Sequence, residues 1–173
     1  MLKKLPVYCF LTAVIMVLVM PTTVRADEIR ITVKRSWSVW FWDPGHVVIS
    51  HHNDFGALIQ TKAMWPDGNL VTNGKIDKLV ADLRDCPGGC QYRRAKVSNV
   101  RAGQIMGSVA SDFGRRNYWN GNWCSVFGTT MWGHTTRGAE LFNTSNATPN
   151  AVAFALAWRG RNGAWTNNGN YIK

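Results

Sequence analysis

Beyond residue 26 the side chains able to act as nucleophiles or to move protons near neutral pH are few: Cys86, Cys90 and Cys124, and four histidines, His46, His51, His52 and His134. Cys86 and Cys90 flank Pro87-Gly88-Gly89, a turn-forming run that lets a disulfide close at little backbone cost in an oxidising compartment. A zinc site is the rival reading, but it needs about four ligands and no second Cys/His pair has suitable spacing, so no metal is expected. That leaves Cys124 unpaired. An odd thiol in an exported chain is either a small buried hydrophobe or a reactive group, and its neighbourhood decides.

Asn122 is a plausible cap for a helix whose apolar face carries Cys124, Phe127 and Met131. Cys124 then falls in the first turn, where free N–H groups and the helix dipole favour a thiolate. Such a thiolate needs an imidazole beside it to share the proton and later deliver it to a leaving group. His134 lies ten residues along the same helix, about 15 Å away at 1.5 Å per residue, and is out of reach. His46, His51 and His52 share one segment. His51 faces away from His46 by strand alternation, and His52 shares its face about 20 Å further on.

The elements that must position these groups fall in order. Ile29, Ile31 and Val33 alternate with Arg30, Thr32 and Lys34 in a β-rich stretch from Glu28 to Trp42, which ends in the aromatic cluster Trp37, Trp40, Phe41 and Trp42. After the turn Asp43-Pro44-Gly45, His46 to His52 reads as a second strand, and beyond Asn53 to Gly56, Ala57 to Trp65 reads as a third. Pro66-Asp67-Gly68-Asn69 breaks the meander, a short helix covers Lys75 to Arg84, and Gln91 to Val97 reads as another strand. Ser98 is an N-cap for a helix in which Ala102, Ile105, Met106, Val109 and Phe113 recur at helical spacing. Gly133-His134 is expected to stop the Cys124 helix. Thr148-Pro149 starts a last one, Thr at the cap and Pro in the first turn. The fold class expected is α+β: a small antiparallel sheet packed on helices.

Met1 to Ala26 has the three parts of a cleavable secretory signal: Lys3 and Lys4, an apolar run from Val7 to Met20, and the small-residue site Val24-Arg25-Ala26. The apolar run is about 14 residues, shorter than a membrane span requires. Residues 27–173 are then a single domain, secreted or periplasmic. Removing Lys3, Lys4 and Arg25 lowers the formal net charge from +10 to about +7. A domain this basic favours anionic surfaces such as cell-wall polymer or lipid head groups. No run of five or more basic residues occurs, so specific nucleic-acid binding is not expected.

Strands first and helices after, with a histidine opening the second strand and a cysteine opening a later helix, is an order that resembles the circularly permuted papain-like fold. The matching segments are Gly45-His46-Val47-Val48-Ile49 and Tyr118-Trp119-Asn120-Gly121-Asn122-Trp123-Cys124-Ser125-Val126-Phe127, followed by Thr148-Pro149. These are similar to the Gly-His strand and Asn-Cys helix of NlpC-type peptidases and lecithin:retinol acyltransferase-like proteins. In those families Asn directly precedes Cys, whereas Trp123 intervenes here. The resemblance implies Cys124 as nucleophile and His46 as its base, with the other strand histidines as fallbacks. A third group orients the imidazole from the adjacent strand. The turn at Asn53 to Gly56 brings Gln60 to Lys62 towards His46, and Gln60 is taken for that role, with Thr61 as the choice by face parity.

The sequence has 9 tryptophans. Trp42, Trp119 and Trp123 flank the two catalytic segments and are expected to wall a substrate groove, since aromatic faces pack against sugar rings and suit membrane interfaces. The function expected is an exported thiol hydrolase that needs no cofactor. It would cleave an amide or peptide bond, with peptidoglycan as the leading substrate. Alternatives are a lipid esterase or acyltransferase of the same fold and a non-catalytic wall- or glycan-binding module. Nothing in the sequence identifies an inhibitor or immunity partner.

Overall fold

In the computed structural model the residues described are 26–35, 45–86, 89–114, 124–137, 148, 149 and 152. Residues 1–25 of the expected signal Met1 to Ala26, the tryptophan cluster from Trp37 to Trp42 and the segment holding Trp119, Asn122 and Trp123 lie outside them, while Ala26 opens the first strand.

Five strands form one antiparallel sheet: β1 (Ala26–Lys34), β2 (His46–His52), β3 (Leu58–Met64), β4 (Leu70–Thr72) and β5 (Cys90–Ser98). Their spatial order is β4-β3-β2-β1-β5, so the first four are a meander and the fifth returns to pair with β1. This is the α+β arrangement expected. The three-residue β4 was not anticipated; it lies just past Pro66-Asp67-Gly68-Asn69, whose turn chemistry masks a strand too short to show a period of two.

β1 packs as its alternation predicts. Ile29, Ile31 and Val33 are fully buried in a cluster with Val47 and Ile49 of β2, Ala95 of β5 and residues of the later helices. The opposite face is not open to water throughout, however. Thr32 and Val48 on it are also fully buried, because α1 (Lys75–Ala81) covers that side and forms a second cluster of Val48, Ala63, Val80 and Ala81. The sheet is thus the middle layer of three.

On the larger core side, α2 (Asn99–Gln104) starts at Ser98, whose hydroxyl accepts from the Arg101 N–H as an N-cap should. A π-helical turn, Ile105–Val109, carries the chain into α3 (Ala110–Gly114). Of the expected apolar stripe, Ala102, Ile105, Met106 and Phe113 are buried and Val109 is half-buried. α4 (Cys124–Thr135) runs against β2, β1 and β3 and is buried on nearly every side. It passes through Gly133-His134 and ends two residues later than expected. There the Thr135 hydroxyl donates to the Met131 carbonyl at 2.8 Å and the Thr136 hydroxyl to that of Trp132 at 3.1 Å. The Val152 N–H donates to the Thr148 carbonyl at 3.0 Å, one helical turn after the expected Thr-Pro start. Among the described residues no helix is long and apolar enough to cross a membrane.

Gly128 explains how closely α4 approaches the sheet. A Cβ there would overlap the Cγ1 methyl of Val47 and come within 3.8 Å of Ile31 Cδ1. Cys124 lies one turn before Gly128 on the same helix face, and His46 immediately precedes Val47. A glycine contact therefore draws together the two elements that carry Cys124 and His46.

Candidate active site

His46 opens β2 at the end of the sheet, between α1 on one side and α4 on the other. Its Nε2–H donates to Asp77 Oδ1 at 2.8 Å. Asp77 stands in the first turn of α1, where a carboxylate suits the helix dipole, yet it is fully buried. Its second oxygen accepts the indole N–H of Trp65 at 3.3 Å. The Trp65 ring leans on the imidazole, with centroids 4.9 Å apart and planes tilted by 52°. Two donors thus hold the carboxylate, and the carboxylate and an aromatic face hold the imidazole.

Cys124 approaches the same ring from α4. It is a free thiol, 8% exposed, and near enough to the imidazole to act on its protonation. With Nε2 committed to Asp77, Nδ1 is the nitrogen left for sulfur. Burial of the His46 ring acts to lower its pKa. Hydrogen bonds from the imidazole to Asp77 and Cys124, together with its charge interactions with both, outweigh that and raise the value from 6.5 to about 9. His46 is therefore an imidazolium through neutral pH, the partner a thiolate needs. Among the described residues α4 runs from Cys124, so the thiol stands at the N-terminal end of its described span.

The remaining histidines are engaged elsewhere. His51 Nε2 pairs with Asp27 Oδ2 at 2.7 Å. The Nδ1–H of His52 donates to the Gly56 carbonyl at 3.1 Å, so its Nε2 is the acceptor for the Ser50 hydroxyl at 3.0 Å. Burial and the nearby Arg30 lower the His52 pKa, in keeping with this neutral form. His134 is exposed near the far end of α4.

Gln60 is not beside His46. A bulge between His51 and His52 sets the β2–β3 register with Ile49 opposite Lys62, Ser50 opposite Thr61 and His51 opposite Gln60. The hairpin thus carries Gln60 and Thr61 towards the far end of β2, and Trp65 takes the place alongside His46. The carboxylate at the imidazole comes instead from α1, a contribution the sequence reading missed. The signal available was Asp77 itself, a charged residue in helical register with Val80 and Ala81 on the buried face of α1.

Cys86 and Cys90 form a disulfide, Cα to Cα 5.4 Å, as their spacing suggested. Lys34 faces His46 on one side and Cys90 on the other, so the bridge closes the same rung of the sheet that carries the imidazole. Lys34 Nζ also donates to Asp85 Oδ2 at 3.3 Å. The bridge and the ion pair together fasten the chain leaving α1, and with it Asp77, to β5 and β1.

Among the described residues no group of three or more His, Cys, Asp or Glu side chains converges as metal ligands would. The groove tryptophans Trp42, Trp119 and Trp123 fall outside the described residues. Set against protein-family models, curated proteins and solved structures, the chain matches none of them.

Proposed function

We propose that the chain is an exported cysteine hydrolase in which Cys124 is the nucleophile, His46 its proton partner and Asp77 the carboxylate that orients the imidazole. The observation that carries this reading is the placing of the His46 ring, with Nε2 bonded to a buried carboxylate and a free thiol beside the imidazole. A structural histidine has no need of both partners. The joint arrangement is that of a nucleophile, a base and an orienting group.

In the reaction the Cys124 thiolate attacks an amide carbonyl carbon, forming a C–S bond and an oxyanion that first-turn N–H groups of α4 receive. The imidazolium gives its Nδ1 proton to the departing amine as the C–N bond breaks. Water then adds to the thioester with His46 taking its proton, and rupture of the C–S bond releases the acid and restores the thiol. Asp77 keeps the ring in the tautomer and orientation this shuttle needs. The permuted papain-like fold and the peptide bond of peptidoglycan remain the reading of fold and substrate. They rest on the order of the elements and on the basic, tryptophan-rich sequence.

Cys124→Ala and His46→Ala should each lower turnover of purified peptidoglycan roughly a thousandfold, and the double variant should be little worse, since the two act as one unit. Iodoacetamide should label Cys124 faster in the wild type than in His46→Ala. Equal labelling rates would separate the two residues and sink the mechanism. Turnover of a lipid ester in place of peptidoglycan would keep the site and change the substrate. Retained binding to cell walls with no turnover of either would favour the binding module.

A further inference from the structure

At the other end of α4, about 17 Å from the thiol at 1.5 Å per residue, lies a cavity of about 210 Å³ that the hydrolase reading does not use. It opens between the end of β5, the first turn of α2 and the residues closing α4. Lys96, Arg101 and Arg137 bring three cationic side chains to it, Ser98, Thr135 and Thr136 bring hydroxyls, and among the described residues no carboxylate lines it.

The donors around the cavity are partly engaged: Lys96 Nζ donates to the Ala26 carbonyl at 3.4 Å and Arg101 Nη1 to Gln104 Oε1 at 3.5 Å. The Thr135 and Thr136 hydroxyl protons go to α4 carbonyls, and Arg101 Nη2 donates to the His134 carbonyl at 2.8 Å. These bonds cover the carbonyls of residues 131, 132 and 134, which would otherwise repel an anion. Arg101 Nε is shut from solvent and has no hydrogen-bond partner among the described residues. The Ser98 oxygen accepts from the Arg101 N–H, so its own proton is left to donate. Arg137 is exposed at the rim, on a backbone with φ of 54°. The nearest carboxylates on the neighbouring strand are already engaged, Asp27 by His51 and Glu28 by Arg30 and Arg94.

We infer that this cavity is a binding site for a phosphoryl group, built from Arg101, Arg137, Lys96 and the Ser98 hydroxyl. Cations from three separate elements suit a tetrahedral dianion better than a planar carboxylate of single charge. Arginine adds the planar fork that matches phosphate oxygens. The source is either a soluble or polymeric phosphate ester or a lipid head group. The site stands apart from Cys124 and His46 and does not depend on their reacting.

The test is a titration of the whole chain with inorganic phosphate at constant ionic strength, followed by amide and arginine Nε signals. Saturable shifts at Ser98, Arg101 and Arg137 are expected, with affinity at least about tenfold lower in Arg137→Gln. Arg137 is exposed, so that variant should fold. Arg101→Lys, which keeps the charge but loses the planar fork, should also weaken binding. Glycerol 3-phosphate and phosphatidylglycerol vesicles separate the sources. Vesicle binding that Arg137→Gln abolishes assigns the phosphate to lipid; binding of glycerol 3-phosphate without vesicle binding assigns it to a soluble or polymeric ester. Equal shifts with chloride or acetate, or unchanged affinity in Arg137→Gln, would overturn the site.

Discussion

At the scale of single residues the deciding group is Asp77, a buried carboxylate whose two oxygens are held by His46 and Trp65. Removing it should release the imidazole as well as its charge. Asp77→Ala is expected to lower turnover roughly a hundredfold and to bring the His46 pKa down from about 9, read from the imidazole proton resonances. Gln60→Ala should leave both within about twofold of the wild type, because Gln60 sits opposite His51. A reversed ranking would restore Gln60 to the third role. The positions of Cys124 on a helix and of His46 at the head of a strand were legible in the sequence. The Asp77 carboxylate at the imidazole was not, because a hairpin places β3, and not a helix, next to β2. The hairpin's register turned on a bulge at His51/His52 that no residue type announces.

The elements bring these residues together through one contact. Gly128 lets α4 rest against Val47, and a methyl group there would force helix and strand apart. Gly128→Ala should cost about 1–3 kcal/mol in urea unfolding, the usual penalty of overpacking, and should slow Cys124 alkylation by loosening its hold on His46. Val47→Ala in the same chain should recover part of both losses by making room for the added methyl. No recovery would mean that the glycine serves some other purpose. Strand and helix positions were legible where the periodicity was clean, as in β1, β2 and the stripe from Ala102 to Phe113. The burial of both faces of β1 was not, since Glu28 and Thr32 look like a solvent face until α1 is laid over them. The π-helical turn at Ile105–Val109 likewise leaves no mark on the apolar spacing.

Across the whole molecule two histidines set opposite responses to pH. The folded-state pKa of His46 lies above its ordinary 6.5, so its contribution to stability is complete below about 6.5 and is lost as pH rises through about 9. His52 is held neutral with its pKa lowered, so its contribution is present above 6.5 and is lost as pH falls through the lowered value. Urea midpoints measured across this range should show the wild type losing its advantage over His46→Gln on the alkaline side. His52→Gln should flatten the acid side instead. A His46→Gln curve parallel to the wild type from pH 6.5 to beyond about 9 would show that the imidazole carries no extra proton in the folded state.

The strand order also bears on how the chain assembles. β1 is flanked by β2, the next strand made, and by β5, the last, with residues 26–34 paired to residues 90–98. This interior strand therefore waits for its second neighbour until nearly all of the sheet has been synthesised. Contacts this distant along the chain are slow to form, because closing the loop costs entropy before any pairing repays it. A chain that leaves its first strand half-paired for so long stays threadable, which is the state a translocation channel accepts. Once β5 has docked, the first and last strands of the sheet are neighbours, and β1 can be drawn out only after its ladders to both β2 and β5 have been broken.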